Sequence, residues 1–472
     1  MSTLLILAPL AGIIILNLPF WQPKRIAFWF ASALFLFQIW LALSAPASFK
    51  ACIPVQLPFL FNMSVDSFSI VLILSIGIVA FASLLLAQQT VPQPEKRFWF
   101  TNLLLLAVLG MNGAVMVTDL FTLYVFLEII AVSAFVMIAF RQDRFALEGA
   151  LKYLILSSLA TVLMLFSIAF LMLTAGSTAF ADIHAAIMLK PGGTFTTIAM
   201  ALFVCGLFIK GGLVPFHWWV PDAYSSAPDE TSVLLAGIVT KTSGIYALMR
   251  LVMSVFGFTP QLEHLLLAAG AVSAVFGALA ALPQKDMKRM LAYSSISQVG
   301  YIILGLGSGT GLGFAGAVFH LFNHSIFKAQ LFVNAAAIEK MSGTRDMNRL
   351  GGLAGPMPRT CVTTSIAFLS TAGIPPLAGF WSKLIIIMAL FLSGHQIYAL
   401  IAVLASVITL AYLLSMNRKI FFGDVPEEFK HVKEACAGML FPAVILSIIT
   451  VGTGILFPFV INKLILPLMN LL

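Results

Sequence analysis

Glu128, Lys210, Lys241, Lys328 and Lys383 stand inside stretches that are otherwise apolar enough for lipid. An ionisable group at a bilayer centre costs at least ~2.5–3.5 kcal/mol on insertion scales, so such residues are rare and mark ion pathways or proton relays. The types present suit proton transfer, because burial and neighbouring charges set how tightly a carboxyl or an ammonium holds its proton. Glu128, in LFTLYVFLEIIAV, is expected to pair with Lys210. Lys241 lies about midway along its own span, in IVTKTSGIY. His320, His324 and Lys328 follow one another at four-residue steps in HLFNHSIFK, which puts them on one helical stripe. Histidine titrates in the physiological range, so the stripe reads as a proton ladder. Lys383 reads as the exit-side group. The histidine pair alone would also suit zinc, but no third ligand is evident nearby and no metal is expected.

These residues need a scaffold, and composition says which kind. Of 472 residues, 61% are hydrophobic and only 9% are charged, against about 25% charged in soluble domains. Long apolar runs without strand alternation point to an all-α polytopic membrane protein. The first apolar run is followed, not preceded, by Lys24 and Arg25; it reads as a retained first helix rather than a cleaved signal. The four cysteines (Cys52, Cys205, Cys361, Cys436) are scattered and read as apolar filler. With no Gly-rich phosphate loop, nucleophile elbow or metal-ligand cluster, no cofactor and no catalytic redox centre are expected in this chain.

Fourteen spans are expected, at about 3–20, 26–44, 63–87, 99–118, 120–140, 153–175, 196–214, 231–253, 264–282, 290–308, 313–338, 360–392, 396–422 and 437–462. With this count, eighteen of the 26 Lys and Arg residues fall in loops on one side. Lys50, Lys190, Arg250 and Lys463 fall on the other, and the four buried lysines complete the set. The positive-inside rule makes the eighteen-charge side cytoplasmic and puts both termini outside. The +8 net charge is therefore topological and does not imply a nucleic-acid partner. Asp66, Asp119, Asp182, Asp229 and Glu230 fall near span ends, where solvated or capping roles are expected. Trp218 and Trp219 suit an interfacial aromatic belt.

Two spans are interrupted alike. One is Lys210-Gly-Gly212-Leu-Val-Pro215 and the other Gly373-Ile-Pro375-Pro376-Leu-Ala-Gly379-Phe-Trp381-Ser-Lys383; Gly212-Leu-Val-Pro215 matches Gly373-Ile-Pro375-Pro376, about 160 residues and five helices apart. An odd number of helices between copies inverts the second, so the chain reads as an inverted repeat with its ion site at the breaks. The expected units are 1–98, N-terminal helices; 99–255, first half-channel; 260–422, second half-channel; and 423–472, a C-terminal helix. Lys383 then stands to the second break as Lys210 stands to the first.

Five runs carry a specific resemblance: KGGLVPFHWWVPDAYSSAP from Lys210, LAGIVTKTSGIYALMR from Leu235, KDMKRMLAYSSISQVGYIILG from Lys285, HLFNHSIFKAQLF from His320 and GIPPLAGFWSK from Gly373. Over roughly residues 60–420 the chain resembles the proton-conducting antiporter-like subunits of respiratory complex I, of Mrp-type Na⁺/H⁺ antiporters and of membrane-bound hydrogenases. The resemblance implies fourteen helices with two inverted five-helix repeats, a Glu128–Lys210 pair, a central Lys241, relay histidines at 320 and 324, and a terminal Lys383. It implies membrane-subunit partners, protons as cargo with Na⁺ as the alternative ion, an energy-coupling inner membrane, and a redox-driven parent such as NADH:quinone oxidoreductase or hydrogenase; a Mrp antiporter is the alternative. The lateral C-terminal helix of the largest complex I member is missing from the pattern, so the shorter members are the nearer expectation.

Overall fold

A computed structural model of the chain describes residues 3–18, 23–44, 55–56, 62–190 and 192–469. Lys50 and Cys52, and the side chains of Lys24 and Arg25, lie outside this description. Apart from a two-residue ladder (Val55–Gln56 with Asn62–Met63) and isolated bridges, the described residues are helical or in connections. The helices are α1 (Leu4–Leu16), α2 (Pro23–Ser44), α3 (Ser67–Thr90), α4 (Pro94–Met116), α5 (Leu120–Ile138), α6 (Arg144–Ala175), α7 (Phe180–Leu189), α8 (Thr194–Gly211) and α9 (Trp219–Ser226). They continue with α10 (Asp229–Phe256), α11 (Pro260–Ala281), α12 (Met287–Gly307), α13 (Gly311–Ser342), α14 (Pro358–Ala372), α15 (Ala378–Leu392), α16 (Gln396–Phe421), α17 (Ala437–Ile455) and α18 (Phe457–Met469).

Eleven of them are long and apolar enough to cross a membrane, which makes the chain a polytopic helical membrane protein. These eleven coincide with eleven of the fourteen expected spans. The other three are the short α1, the broken α14–α15 pair, and α13. At 32 residues α13 has ample length, but it carries His320, Asn323, His324, Lys328, Gln330 and Asn334. The sixth span starts nine residues earlier than expected, at Arg144, because Asp143 caps it by accepting from the Ala146 amide at 2.8 Å. Helix α7 has no counterpart among the expected spans.

Acidic caps fix several helix starts. Asp66 accepts from Ser69 N, Asp119 from Thr122 N and Asp286 from Arg289 N, each at 2.8–2.9 Å. A side-chain oxygen in this position satisfies one of the free amides of the first turn.

Burial separates inner helices from outer ones. The spanning window of α10 is 100% buried and that of α12 is 94%, against 33% for α6 and α16. Helix α13 is buried without interruption from Gly313 to Ile338. An isolated helix in lipid has no reason to be enclosed on every face, so α10, α12 and α13 form the protein-solvated interior in which polar groups can be kept. Outer helices show the reverse: Leu154, Ile155, Leu159 and Val162 of α6 and Leu400, Val403, Leu404 and Val407 of α16 are exposed, as a lipid or subunit interface requires.

Candidate functional site

Both expected breaks are present, and both are built the same way. Helix α8 ends at Gly212 with φ +67°, and the Leu213 amide reaches back to the Phe208 carbonyl at 3.0 Å. Helix α14 ends at Gly373 with φ +89°, and the Ile374 amide reaches back to the Leu369 carbonyl at 3.0 Å. A six-to-one bond around a left-handed glycine is the Schellman termination, and glycine takes that conformation without a Cβ penalty. Pro215 and Pro376 then lie in the non-helical turns that follow. In each case a cis bond precedes the proline, Val214–Pro215 and Pro375–Pro376.

The expected pair forms at the first break. Lys210 Nζ lies 3.0 Å from Glu128 Oε1 and 3.2 Å from Ser157 Oγ. Thr161 donates to the same carboxylate oxygen at 2.5 Å. Lys210 is buried, whereas the Glu128 side chain remains 30% exposed on the outer flank. Lys210 therefore does not snorkel to the surface; its ammonium is held inside by a carboxylate.

Lys241 is fully buried and has no carboxylate partner among the described residues. Its Nζ donates to the Ala236 carbonyl of its own helix. Around this contact α10 is wound wider than an α-helix, over Leu235–Val239 and Lys241–Tyr246. Such expanded turns withdraw backbone groups from the i→i−4 ladder and are frequent at functional sites. The Leu235 carbonyl is likewise taken by side chains, Tyr224 Oη at 3.1 Å and Thr240 Oγ1 at 3.2 Å.

The α13 stripe is buried along its length. His320 Nδ1 lies 2.8 Å from Ser382 Oγ on α15. The rings of His320 and His324 stack with centroids 6.3 Å apart. Neither nitrogen of His324 meets a hydrogen-bond partner among the described residues, and the same holds for His320 Nε2 and for both amide atoms of Gln298. Lys241, Lys328, His320 and Lys383 all lie within electrostatic range of His324. Lys328 donates to Ser294 Oγ at 2.6 Å and to the Leu291 carbonyl at 3.2 Å, and Ser294 is hydrogen-bonded to Tyr412 at 2.6 Å.

Lys383 is buried just past the second break. It donates to the Thr371 and Ala372 carbonyls at 2.8 and 3.3 Å and to Ser406 Oγ at 3.3 Å, and sits 4.6 Å above the Tyr301 ring. It thus shares Lys210's setting at a broken helix but not its carboxylate. Its counter-charge is the carbonyl end of α14, where the helix dipole favours a cation.

Other side chains depart from the sequence-based expectation. Asp229 and Glu230 are buried rather than solvated. Lys288, counted among the cytoplasmic loop charges, is fully buried and pairs with both Asp229 and Glu339. Arg250, counted on the opposite side, lies beside Asp66 at 2.5 and 2.8 Å. Trp219 is buried against Tyr153 and donates to the Ile209 carbonyl at 3.0 Å, so only Trp218 is placed as an interfacial belt residue would be. Asp222, on α9, bridges Lys152 (2.7 Å) and Arg289 (2.6 Å). Burial opposes its ionisation, but these two cations outweigh that and hold its pKa below the usual value. The α12 partners had a sequence signal: Ser294, Gln298 and Tyr301 recur at four and three residues, which is one helical face.

Residues 117–409, which contain both breaks and all seven charged or histidine positions, match the family described as NADH:quinone oxidoreductase/Mrp antiporter, TM. The chain belongs to this family. It is 33% identical over 401 residues to a Na(+)/H(+) antiporter subunit of Alkalihalophilus pseudofirmus, covering 84% of this chain and 81% of that protein. It is also 33% identical over 389 residues to an NADH-quinone oxidoreductase subunit of Desulforudis audaxviator, covering 79% and 77%. Its fold matches a chain of the Mrp complex from Dietzia sp. DQ12-45-1b with a TM-score of 0.91 over 100% of this chain and 97% of that one, at 23% identity.

Proposed function

We propose that this chain is the proton-translocating, antiporter-like subunit of a multisubunit, redox-driven membrane complex. The observation that carries the reading is the set of buried ionisable groups Lys210, Lys241, His324, Lys328 and Lys383 in the helical interior, with Lys241, Lys328 and Lys383 grouped around His324. Buried polar atoms in proteins are almost always hydrogen-bonded, to protein or to water. The unpartnered nitrogens of His320 and His324 and the amide of Gln298 are therefore sites for water, and water joined to ionisable side chains is a route for protons.

In this mechanism a proton reaches Lys241, passes through His324 and His320, and leaves beside Lys383. The Glu128–Lys210 pair is the gate. When it is closed, the Lys210 charge is neutralised locally. When it lengthens, that charge bears on Lys241, and a nearby like charge disfavours a second ammonium. The driving free energy comes from partner subunits, and no cofactor is assigned to this chain.

Partners are also called for by Glu128. A carboxylate partly exposed in mid-span cannot face hydrocarbon without large cost, so a neighbouring membrane protein of the complex covers the α5–α6 flank. The two breaks support the division into half-channels at 99–255 and 260–422, flanked by 1–98 and 423–472. The charge bias of the loops supports both termini on the non-cytoplasmic side, and the redox-driven reading calls for an energy-coupling inner membrane.

A second reading, membership of a secondary Na⁺/H⁺ antiporter, is favoured by the likeness to the Alkalihalophilus pseudofirmus antiporter protein. Dependence of transport on sodium in the absence of redox substrate separates the two. The central test is proton pumping by the intact complex carrying Lys241→Ala. Loss of pumping with normal assembly is expected; undiminished pumping overturns the mechanism.

A further inference from the structure

The proposed relay leaves one buried acid unused. Glu230 is 2% exposed, in the first turn of α10, the helix that carries Lys241. Four neighbouring acids at this end of the bundle have a cation within 4 Å: Asp229 and Glu339 share Lys288, Asp222 has Lys152 and Arg289, and Asp286 has Arg345. Glu230 makes no ion pair in that range among the described residues. Its carboxylate accepts from Thr90 Oγ1 of α3 at 2.6 Å, and its carbonyl accepts from Ser83 Oγ at 2.8 Å. The charges that act on it are its neighbour Asp229 and Arg141 at the end of α5, while Lys340 of α13 is engaged next door with the Gln89 carbonyl at 2.5 Å.

A buried carboxyl without a counter-ion is costly to keep ionised. Position at a helix N-terminus favours a carboxylate, yet Asp229 already occupies that terminus and is neutralised by Lys288. Glu230 is therefore surplus to capping. It lies eleven residues before Lys241, at most about 16 Å along the helix axis at the α-helical rise of 1.5 Å per residue. Two separate hydroxyl sites lie along this stretch: Ser232 Oγ donates to backbone carbonyls, that of Tyr224 at 2.8 Å among them, and Tyr224 Oη is hydrogen-bonded to Thr240 Oγ1 at 2.8 Å, one residue from Lys241.

Resting on the proton-translocation reading, we infer that Glu230 is the proton-loading group of the first half-channel. It takes a proton from the side where Thr90 and Arg141 emerge and passes it toward Lys241 through intervening water, with the Tyr224–Thr240 hydroxyl pair at the Lys241 end of the route. After transfer the Lys241 amine has become an ammonium and Glu230 a carboxylate, which is reprotonated from the aqueous side.

The test uses the intact complex in sealed membrane vesicles. Glu230→Gln keeps size and hydrogen bonding and removes the transferable proton. Its transport rate should fall about tenfold or more, should decline further in proportion to proton concentration as pH rises above 7, and should be restored by millimolar azide, a small weak acid that can shuttle protons. A structural role moves neither the pH profile nor the azide response, so a wild-type rate, or a pH-independent loss that azide does not repair, overturns the inference. If Glu230→Gln does not assemble, Thr90→Val serves. It removes the hydroxyl that donates to the carboxylate and should displace the pH at which the rate falls; an unchanged profile overturns the inference. Lys241→Ala run in parallel keeps the two proposals apart: a dead Lys241 variant beside a normal Glu230→Gln variant refutes the loading role alone.

Discussion

Lys383 donates its ammonium to the carbonyl of Thr371 at 2.8 Å, and Thr371 occupies, relative to Gly373 and Pro376, the place that Lys210 holds relative to Gly212 and Pro215. The two breaks thus share a backbone and differ in where the lysine comes from. In the first it lies on the terminating helix and meets a carboxylate. In the second it comes from the following helix and meets the exposed carbonyl end. Lys383→Ala should leave the Thr371 and Ala372 carbonyls buried without this donor and destabilise the protein by about 1–3 kcal/mol. Thermal unfolding of the purified complex checks this; an unchanged midpoint would mean that the ammonium does not cap α14.

The Glu128–Lys210 contact predicts non-additivity. Removing one partner of a buried pair leaves an uncompensated charge and costs about 3–5 kcal/mol; the lower end applies here because Glu128 is part-exposed. Glu128→Gln and Lys210→Met should each destabilise, and the double variant should lose clearly less than the sum. A coupling energy near zero in the double-mutant cycle would show that the two side chains do not interact in solution.

Much of this was legible in the sequence, for a physical reason. Intramembrane charges are so costly that each one advertises itself, and glycine–proline pairs cannot hide inside a helix. Glu128, the four lysines, the histidine stripe and both breaks were therefore visible in the order of residues alone. What stayed hidden was the environment of residues near span ends. Lys288 and Arg250 look like loop charges because hydropathy does not distinguish a cation in water from one enclosed against a carboxylate. The uneven setting of Lys210 and Lys383 was hidden too, since sequence spacing gives no account of which carbonyls a side chain reaches across a break. The looser winding of α10 had no sequence mark at all.

The Asp66–Arg250 pair makes stability depend on acidity. Burial would raise the Asp66 pKa, but the Arg250 charge, hydrogen bonds from Arg250 and the Ser69 amide and hydroxyl outweigh it and hold the group at about 2. Because the folded value lies below the unfolded one, the stabilisation is complete above about pH 4 and disappears as pH falls from there toward 2. The amount at stake is about 2 kcal/mol. Asp66→Asn should be less stable than the parent at neutral pH and should lose less on acidification between pH 5 and 3. Parallel acid profiles for the two proteins would remove this pair from the account.

His324 separates function from stability. Its ring is enclosed between His320 and Phe327, and neither nitrogen bonds to the described residues. Replacing a buried polar group that has no protein partner by an apolar one of similar shape is close to neutral or stabilising. His324→Phe should therefore keep the thermal midpoint within a few degrees of the parent, or raise it. Proton transfer has no such tolerance: a phenyl ring neither accepts a proton nor holds a water, so pumping should fall about tenfold or more. Measured on one preparation, a normal midpoint with lost pumping ties His324 to the proton path. Retained pumping would place that path elsewhere, and a large drop in stability would mean that the imidazole is held by hydrogen bonds that matter to the fold.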